Sequence, residues 1–211
     1  MTKLTRLAGI AGAAVLASAV SASAATLSLI GATGSQVIAN NDLGLGLNGS
    51  SVDYITGDLK TVLNGLSLND AAKITYTYLG FEAGNSNFAA VMGATSFVNG
   101  VSVANVSSTS VTQTGAGLLD FAFGTSNPQS AVGLFENDGV ANPASINYAM
   151  GFLMISPTSY YVLFDDIAAG DRDFDDIGIR IDVAPVPVPA AGMLLIGGLG
   201  VMGLVARRRK A

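Results

Sequence analysis

The sequence has no cysteine, no histidine and no tryptophan. Without cysteine there can be no disulfide, no thiolate nucleophile and no cysteine-based zinc site. Without histidine the chain lacks the commonest general base and metal ligand, which excludes a Ser-His-Asp triad. Any catalysis would have to use carboxylates, lysine, tyrosine or serine, and we find no catalytic or cofactor-binding constellation among them. We therefore predict that the protein is not an enzyme.

Charge is also scarce, because charged residues make up 12% of the chain against roughly 25% in ordinary globular proteins. The basic residues gather at the two ends, at Lys3 and Arg6 and again in the cluster Arg207–Lys210. All fifteen acidic residues lie between these ends. Nucleic-acid binding needs a basic surface, so the acidic middle excludes nucleic acid as a partner. The basic residues of this middle part are Lys60, Lys73, Arg172 and Arg180.

The N-terminal segment has the order of parts that is typical of a secretory signal peptide. A short basic start precedes an uncharged, apolar run from Leu7 to Val20, and Ala22-Ser23-Ala24 then supplies small residues for cleavage. We predict a signal peptide over residues 1–24, with cleavage after Ala24. The protein is then exported.

The C-terminal segment, residues 185–211, has a similar three-part order. Proline keeps the motif Val186-Pro187-Val188-Pro189-Ala190 extended. The uncharged run Ala190–Ala206 would form a helix of about 25 Å, at the short end for crossing a bilayer. The cluster Arg207–Lys210 would stop transfer and stay in the cytoplasm. We predict a transmembrane helix that anchors the chain in the inner membrane; an unprocessed tail anchor is the alternative.

A proline motif, a short apolar helix and a terminal arginine cluster resemble the PEP-CTERM class of bacterial sorting signals. The motif V-P-V-P-A is similar to the VPLPA-CTERM variant, with Val188 in the place of leucine. The resemblance implies recognition by an exosortase-type membrane enzyme and transfer to the cell surface or extracellular matrix. It also implies an association with exopolysaccharide.

The middle of the chain, residues 25–184, alternates between apolar and polar residues in short runs, as strands do. Lys73–Leu79, Leu118–Phe123 and Ile177–Val183 each place their larger apolar side chains on one face. Asn147–Ile155 and Tyr160–Phe164 are more continuously apolar, which indicates central strands. We predict an all-β domain, an antiparallel β-sandwich of the jelly-roll type.

Between these runs, residues 58–73 have the weak pattern of one short helix, interrupted by Asn64 and Gly65.

Aspartate is densest between Phe164 and Val183. The spacing Asp171-x-Asp173-x-Asp175 can bring alternate carboxylates of a loop onto one hard cation, and calcium takes oxygen ligands. An EF-hand is excluded because Asp176 stands where its loop needs glycine. We predict a calcium loop between two strands, with Glu82 as a further candidate ligand; the alternative is a solvated acidic loop. The predicted metal ligands are Asp171, Asp173, Asp175 and Asp176.

Two pieces of the chain resemble recurrent pieces of a β-sandwich domain of unknown function that is frequent in PEP-CTERM proteins. Gly170–Phe174 (GDRDF) is similar to the closing piece of that domain, and Tyr78–Gly84 is similar to an upstream piece of the form Y-x-G-x-E-A-G. The resemblance implies a jelly-roll-like fold and bound calcium, with no known activity.

The sequence thus predicts a non-enzymatic surface or matrix protein stabilised by calcium. A lectin-like carbohydrate-binding module is the alternative, and a glycosidase that uses Glu82 and Glu136 is a weaker one. A lectin needs exposed aromatic rings that stack on sugars. The candidate platforms are Tyr54, Tyr148, Tyr160 and Tyr161.

Overall fold

A computed structural model describes most of the middle of the chain and a few residues at its C-terminal end. Residues Ser23–Val186 form one compact unit. Among the described residues, no helix is long and apolar enough to cross a membrane. The described residues are 24–56, 64–125, 134–137, 148–166, 172–186, 197–200, 202–203 and 207–208.

The described part of the compact unit contains fourteen β-strands. Short runs of β-branched and aromatic residues form them, and glycine, asparagine and aspartate lie in many of the turns between. The strands are β1 (Leu27–Ile30), β2 (Gly34–Val37), β3 (Ser51–Thr56), β4 (Gly65–Leu68), β5 (Ala72–Gly80), β6 (Asn87–Val91), β7 (Ala94–Val98), β8 (Ser108–Gln113), β9 (Gly117–Leu118), β10 (Phe121–Thr125), β11 (Leu134–Glu136), β12 (Ala149–Ser156), β13 (Ser159–Asp165) and β14 (Ile177–Pro185).

These strands form three sheets, and every described pairing is antiparallel. The largest sheet has seven strands in the order β2-β3-β12-β13-β14-β5-β8. A four-stranded sheet has the order β11-β10-β6-β7, and a three-stranded sheet has the order β1-β4-β9. The prediction of an all-β, antiparallel β-sandwich is confirmed. β12 and β13 lie in the interior of the seven-stranded sheet, as their continuous apolar character predicts.

The main core receives side chains from all three sheets. Strand alternation explains which ones, because Ile74, Tyr76 and Tyr78 of β5 lie on one face and are each 1% exposed. The same period buries alternate residues of β14 from Ile177 to Val183. A second, smaller cluster lies around Phe174. Its buried members are Ile38, Leu47, Val52, Ala149, Leu163 and Phe174.

The predicted short helix over residues 58–73 is wrong wherever those residues are described. Gly65–Leu68 is strand β4, and β5 begins at Ala72. Pairing of β4 with β1 and of β5 with β14 and β8 overrides the weak helical pattern. Residues 58–63 lie outside the described residues.

Candidate functional site

Three chain segments meet at one end of the seven-stranded sheet. β13 and β5 both pair antiparallel with β14, so the ends of β13 and β5 lie beside the start of β14. The residues that follow or precede these strands therefore come together. They line a pocket of about 190 Å³, which we call the acidic pocket. Its lining residues are Glu82, Ala83, Gly84, Asn85, Asp165, Asp166, Asp173, Asp175 and Asp176.

Six of the nine lining residues that the structure describes carry a carboxylate, and none of these nine is a lysine or arginine. Asp165, Asp166 and Asp175 are each only 2% exposed. Carboxylates that line one pocket and are shielded from water repel one another. The pocket therefore concentrates negative charge in an environment that disfavours it.

Backbone and amide groups hold part of this charge in place. The Asp166 amide donates to Asp176 Oδ2 at 2.6 Å, and the Asp42 amide donates to Asp175 Oδ2 at 2.8 Å. Asp166 Oδ2 accepts from Asn85 Nδ2 at 3.2 Å and from Thr125 Oγ1 at 3.0 Å. These donors orient the carboxylates without supplying a formal positive charge.

Contacts of alternate residues hold the loop before β14 in place. Arg172 and Phe174 both have positive φ angles, of 50° and 58°. The ring of Phe174 is fully buried in the smaller core cluster, and the Arg172 guanidinium lies 5.1 Å from the centre of the Tyr54 ring. Asn41 Nδ2 donates to the carbonyls of Asp173 and Phe174, both at 3.0 Å. The loop is therefore anchored on both sides of Asp173.

Asp176 shows the electrostatic cost of the arrangement most clearly. The pKa of Asp176 is raised from 3.8 to about 7. Burial is the largest cause, the hydrogen bond from the Asp166 amide lowers the pKa, and the neighbouring carboxylates of Asp166, Asp165 and Asp175 raise it. The carbonyl oxygen of Asp176 accepts from Asn99 Nδ2 at 2.9 Å and from Asn87 Nδ2 at 3.4 Å. A group with such a pKa takes up a proton near neutral pH unless a cation replaces that proton.

The predicted metal ligands Asp173, Asp175 and Asp176 all line the acidic pocket, together with the further candidate Glu82. Asp171 lies outside the described residues. The donor set is made of oxygen atoms alone, which fits a hard cation such as calcium. Within the described part of the chain, however, no three acidic side chains form a group that could hold a metal ion as they stand.

Sequence reasoning missed Asp165 and Asp166 as pocket residues. Both belong to the aspartate-rich segment, but Asp165 is the last residue of β13 and Asp166 follows it, and neither shares the alternate spacing of the loop. The signal that could have found them is an acidic pair directly after the apolar run Tyr160–Phe164, because a strand end of this kind opens into a loop cluster. The contribution of Asn85 had no signal in the sequence.

Two of the four tyrosines predicted as platforms for sugar stacking are buried in the structure. Tyr148 is 0% exposed and Tyr160 is 6% exposed, so neither can stack on a sugar ring, and the prediction is wrong for both. Their rings belong to the main core, since each projects from a central strand or from the residue before it. Tyr54 and Tyr161 remain half-buried. Glu82 and Glu136 line different pockets, so the carboxylate pair of the glycosidase alternative is not formed.

The two predicted sorting signals lie largely outside the described residues. Ala24 is the one described residue of the predicted signal peptide, and Val186 is the one described residue of the proline motif. Pro187, Val188, Pro189 and Ala190 lie outside the described residues, as does most of the predicted transmembrane run. Both signals stay predictions.

No protein-family model and no curated protein matches this chain. One solved structure is similar, a high-affinity mannose-binding lectin from Ralstonia solanacearum. The similarity covers 56% of this chain and 91% of the lectin chain, at 13% sequence identity and a TM-score of 0.28.

Proposed function

We propose that this chain is an exported, non-enzymatic protein of the bacterial cell surface or extracellular matrix, whose jelly-roll-like β-sandwich is stabilised by calcium. The observation that supports calcium binding is the acidic pocket of about 190 Å³, where six of the described lining residues carry a carboxylate. Calcium would add positive charge among these carboxylates.

The residues that would hold the ion are Asp173, Asp175 and Asp176, with Asp171 from the same loop. Glu82 lies beside the loop, since its amide donates to the Asp175 carbonyl at 2.8 Å. The buried pair Asp165 and Asp166 would add negative charge around the ion. Side-chain rotation within the loop would have to complete the ligand set, since the described carboxylates do not yet converge on one point.

The calcium part is tested by thermal unfolding of residues 23–186 with calcium and with excess EDTA. A ligand present at about a hundred times its dissociation constant adds about 2.7 kcal/mol to the native state. For a domain of this size that corresponds to a rise of about 5–10 °C in melting temperature. Equal melting temperatures at millimolar calcium and in EDTA would contradict the proposal.

Asp176→Asn sharpens the test, because it should act with opposite signs in the two conditions. In EDTA the substitution removes a repelled charge and raises the melting temperature, whereas in calcium it removes a ligand and abolishes most of the calcium-dependent rise. Asp53→Asn is the matched control, since Asp53 is exposed on β3 and does not line the acidic pocket. Its calcium-dependent rise should equal that of the unsubstituted protein.

The export part is proposed from the sequence and has a separate test. Surface-associated protein from the producing cells is purified and its ends are determined by mass spectrometry. We expect an N-terminus at Ala25 and a C-terminus close to the proline motif, because a signal peptidase and an exosortase-type enzyme would act in turn. A chain that retains Met1 or the cluster Arg207–Lys210 would contradict processing at that end. Contact with exopolysaccharide belongs to the same proposal.

A further inference from the structure

β8 forms an outer edge of the seven-stranded sheet and pairs with β5 alone among the described strands. It is six residues long, whereas the other edge strands, in all three sheets, have two to five residues. The opposite edge of the same sheet, β2, is accompanied by the loop before β14, since Gln36 Nε2 donates to the Arg172 carbonyl at 2.9 Å. β8 is thus the longest edge in the described part of the chain.

The backbone groups that face outward from β8 follow from its register with β5. The Tyr78 amide donates to the Ser107 carbonyl at 2.9 Å, and Thr77 lies opposite Ser108. Hydrogen-bonded and non-hydrogen-bonded pairs alternate along an antiparallel ladder. Alternate residues of β8 therefore turn their amide and carbonyl groups away from β5. These residues are Ser108, Ser110 and Thr112.

The side-chain contacts of β8 support the same choice of outward-facing residues. Thr75 and Ser110 are opposite each other as a non-hydrogen-bonded pair, in which side chains approach closely, and their hydroxyl oxygens are 3.0 Å apart. Ser108, Ser110 and Thr112 are exposed, and Val111 packs against the main core from the other face. The outer edge therefore presents polar backbone groups between small hydroxyl side chains.

This edge is also free of charge in an otherwise acidic molecule. No charged residue occurs from Ala83 to Leu119, a stretch that includes β6, β7 and β8. Edge strands that avoid pairing usually carry a charge or a proline, and β8 carries neither. Two copies of this chain both carry a net charge of -5, so they repel each other less along this uncharged stretch than along the acidic parts of the chain. At β8 itself no like charges would face each other, because the strand carries no charged residue.

We propose that β8 pairs antiparallel with β8 of a second copy, with Ser110 of one copy opposite Ser110 of the other. In this register Ser108 of each copy lies opposite Thr112 of the other, so all the outward backbone groups of both strands are paired. The two seven-stranded sheets then become one continuous sheet. A second copy fits better than an unrelated charged partner, because the edge offers no counter-charge and its outward residues are symmetric about Ser110.

Cysteine crosslinking of the full chain tests the pairing, because the sequence has no cysteine of its own. Opposite residues in a hydrogen-bonded antiparallel pair have Cα atoms about 5.5 Å apart, within the range of a disulfide. We expect Ser110→Cys to form a disulfide-linked dimer under mild oxidation at micromolar concentration, read on a non-reducing gel. Ser35→Cys is the control, since Ser35 is exposed on the other edge strand, β2, and should crosslink several-fold less.

A mixture of Ser108→Cys and Thr112→Cys chains tests the register. The mixture should form a heterodimer, whereas either variant alone should form little, because a residue other than Ser110 does not meet its own copy. No dimer from Ser110→Cys, or equal crosslinking of Ser110→Cys and Ser35→Cys, would overturn the proposal. Self-crosslinking of Ser108→Cys as strong as that of the mixture would overturn the register.

Discussion

The aromatic core and the acidic pocket are neighbours in the sequence, yet they depend on opposite kinds of environment. β13 runs from one into the other: Phe164 is fully buried in the main core, and Asp165 and Asp166 follow it at 2% exposure each. Apolar burial stabilises the first region without any partner. The second region gathers carboxylates away from water, where like charges repel one another. Equal burial therefore has opposite consequences at adjacent residues.

Aromatic rings pack around Phe164 in the main core. The Phe164 ring stacks on Phe123 at a centroid distance of 5.1 Å, and Tyr148 meets it edge-on at 5.3 Å. Phe135 lies 6.3 Å away. Four rings from β10, β11, β13 and the residue before β12 thus join the four-stranded sheet to the seven-stranded one.

The largest effect is expected from Phe164→Ala. Loss of a fully buried phenylalanine costs about 3–5 kcal/mol, because apolar contacts are lost and a cavity remains. The matched control is Phe81→Ala, since Phe81 is 40% exposed and is not among the core residues; we expect a loss below about 1 kcal/mol there. Urea unfolding at constant pH measures both. Similar losses for the two variants would show that aromatic packing at Phe164 is not what joins the sheets.

A smaller effect is expected from pH in the calcium-free protein. Because the pKa of Asp176 is about 7 in the folded chain and 3.8 ordinarily, the folded state holds a proton that the unfolded state has lost between these two pH values. Stability should therefore be greatest below pH 3.8 for this group, fall as the pH rises, and stay low above about 7. Since water screens part of the effect, we expect a loss of about 2 kcal/mol.

Urea unfolding in EDTA across this pH range measures that loss as the difference between the unsubstituted protein and Asp176→Asn. The asparagine keeps the oxygen that accepts from the Asp166 amide, so the variant isolates the charge. Parallel stability curves for the two proteins would contradict a raised pKa at Asp176. Phe164→Ala should shift the whole curve without changing its slope, which separates the two regions.

The alternation of apolar and polar residues predicted much of the fold, because the period of a strand can be recognised from neighbouring residues alone. It predicted the buried faces of β5 and β14 and the interior places of β12 and β13. It could not predict groups that act across the chain. Asn137 is an example. Its side-chain oxygen accepts a hydrogen bond from the Leu66 amide, and its side-chain nitrogen donates to the carbonyls of Leu66 and Leu119. No local pattern in the sequence indicates these contacts.

The candidate site was predictable to the same extent. Aspartate density and spacing pointed to the loop around Asp173, which is a local property. The meeting of Glu82 with Asp165 and Asp166 depends on the antiparallel order of β5, β14 and β13, and this order is a property of the whole sheet. The burial of Tyr148 and Tyr160 depends on it too. The sequence alone therefore suggested more tyrosines for stacking on sugars than the folded chain exposes.

Calorimetric titration of calcium into residues 23–186 tests the central claim most directly. At pH 6, below the pKa of about 7 for Asp176, binding should displace a proton from the pocket. The heat should therefore depend on the ionisation enthalpy of the buffer. We predict saturable binding with this buffer dependence, strongly weakened in Asp176→Asn and unchanged in Asp53→Asn. The absence of saturable binding at millimolar calcium, or binding that Asp176→Asn leaves intact, would contradict the account.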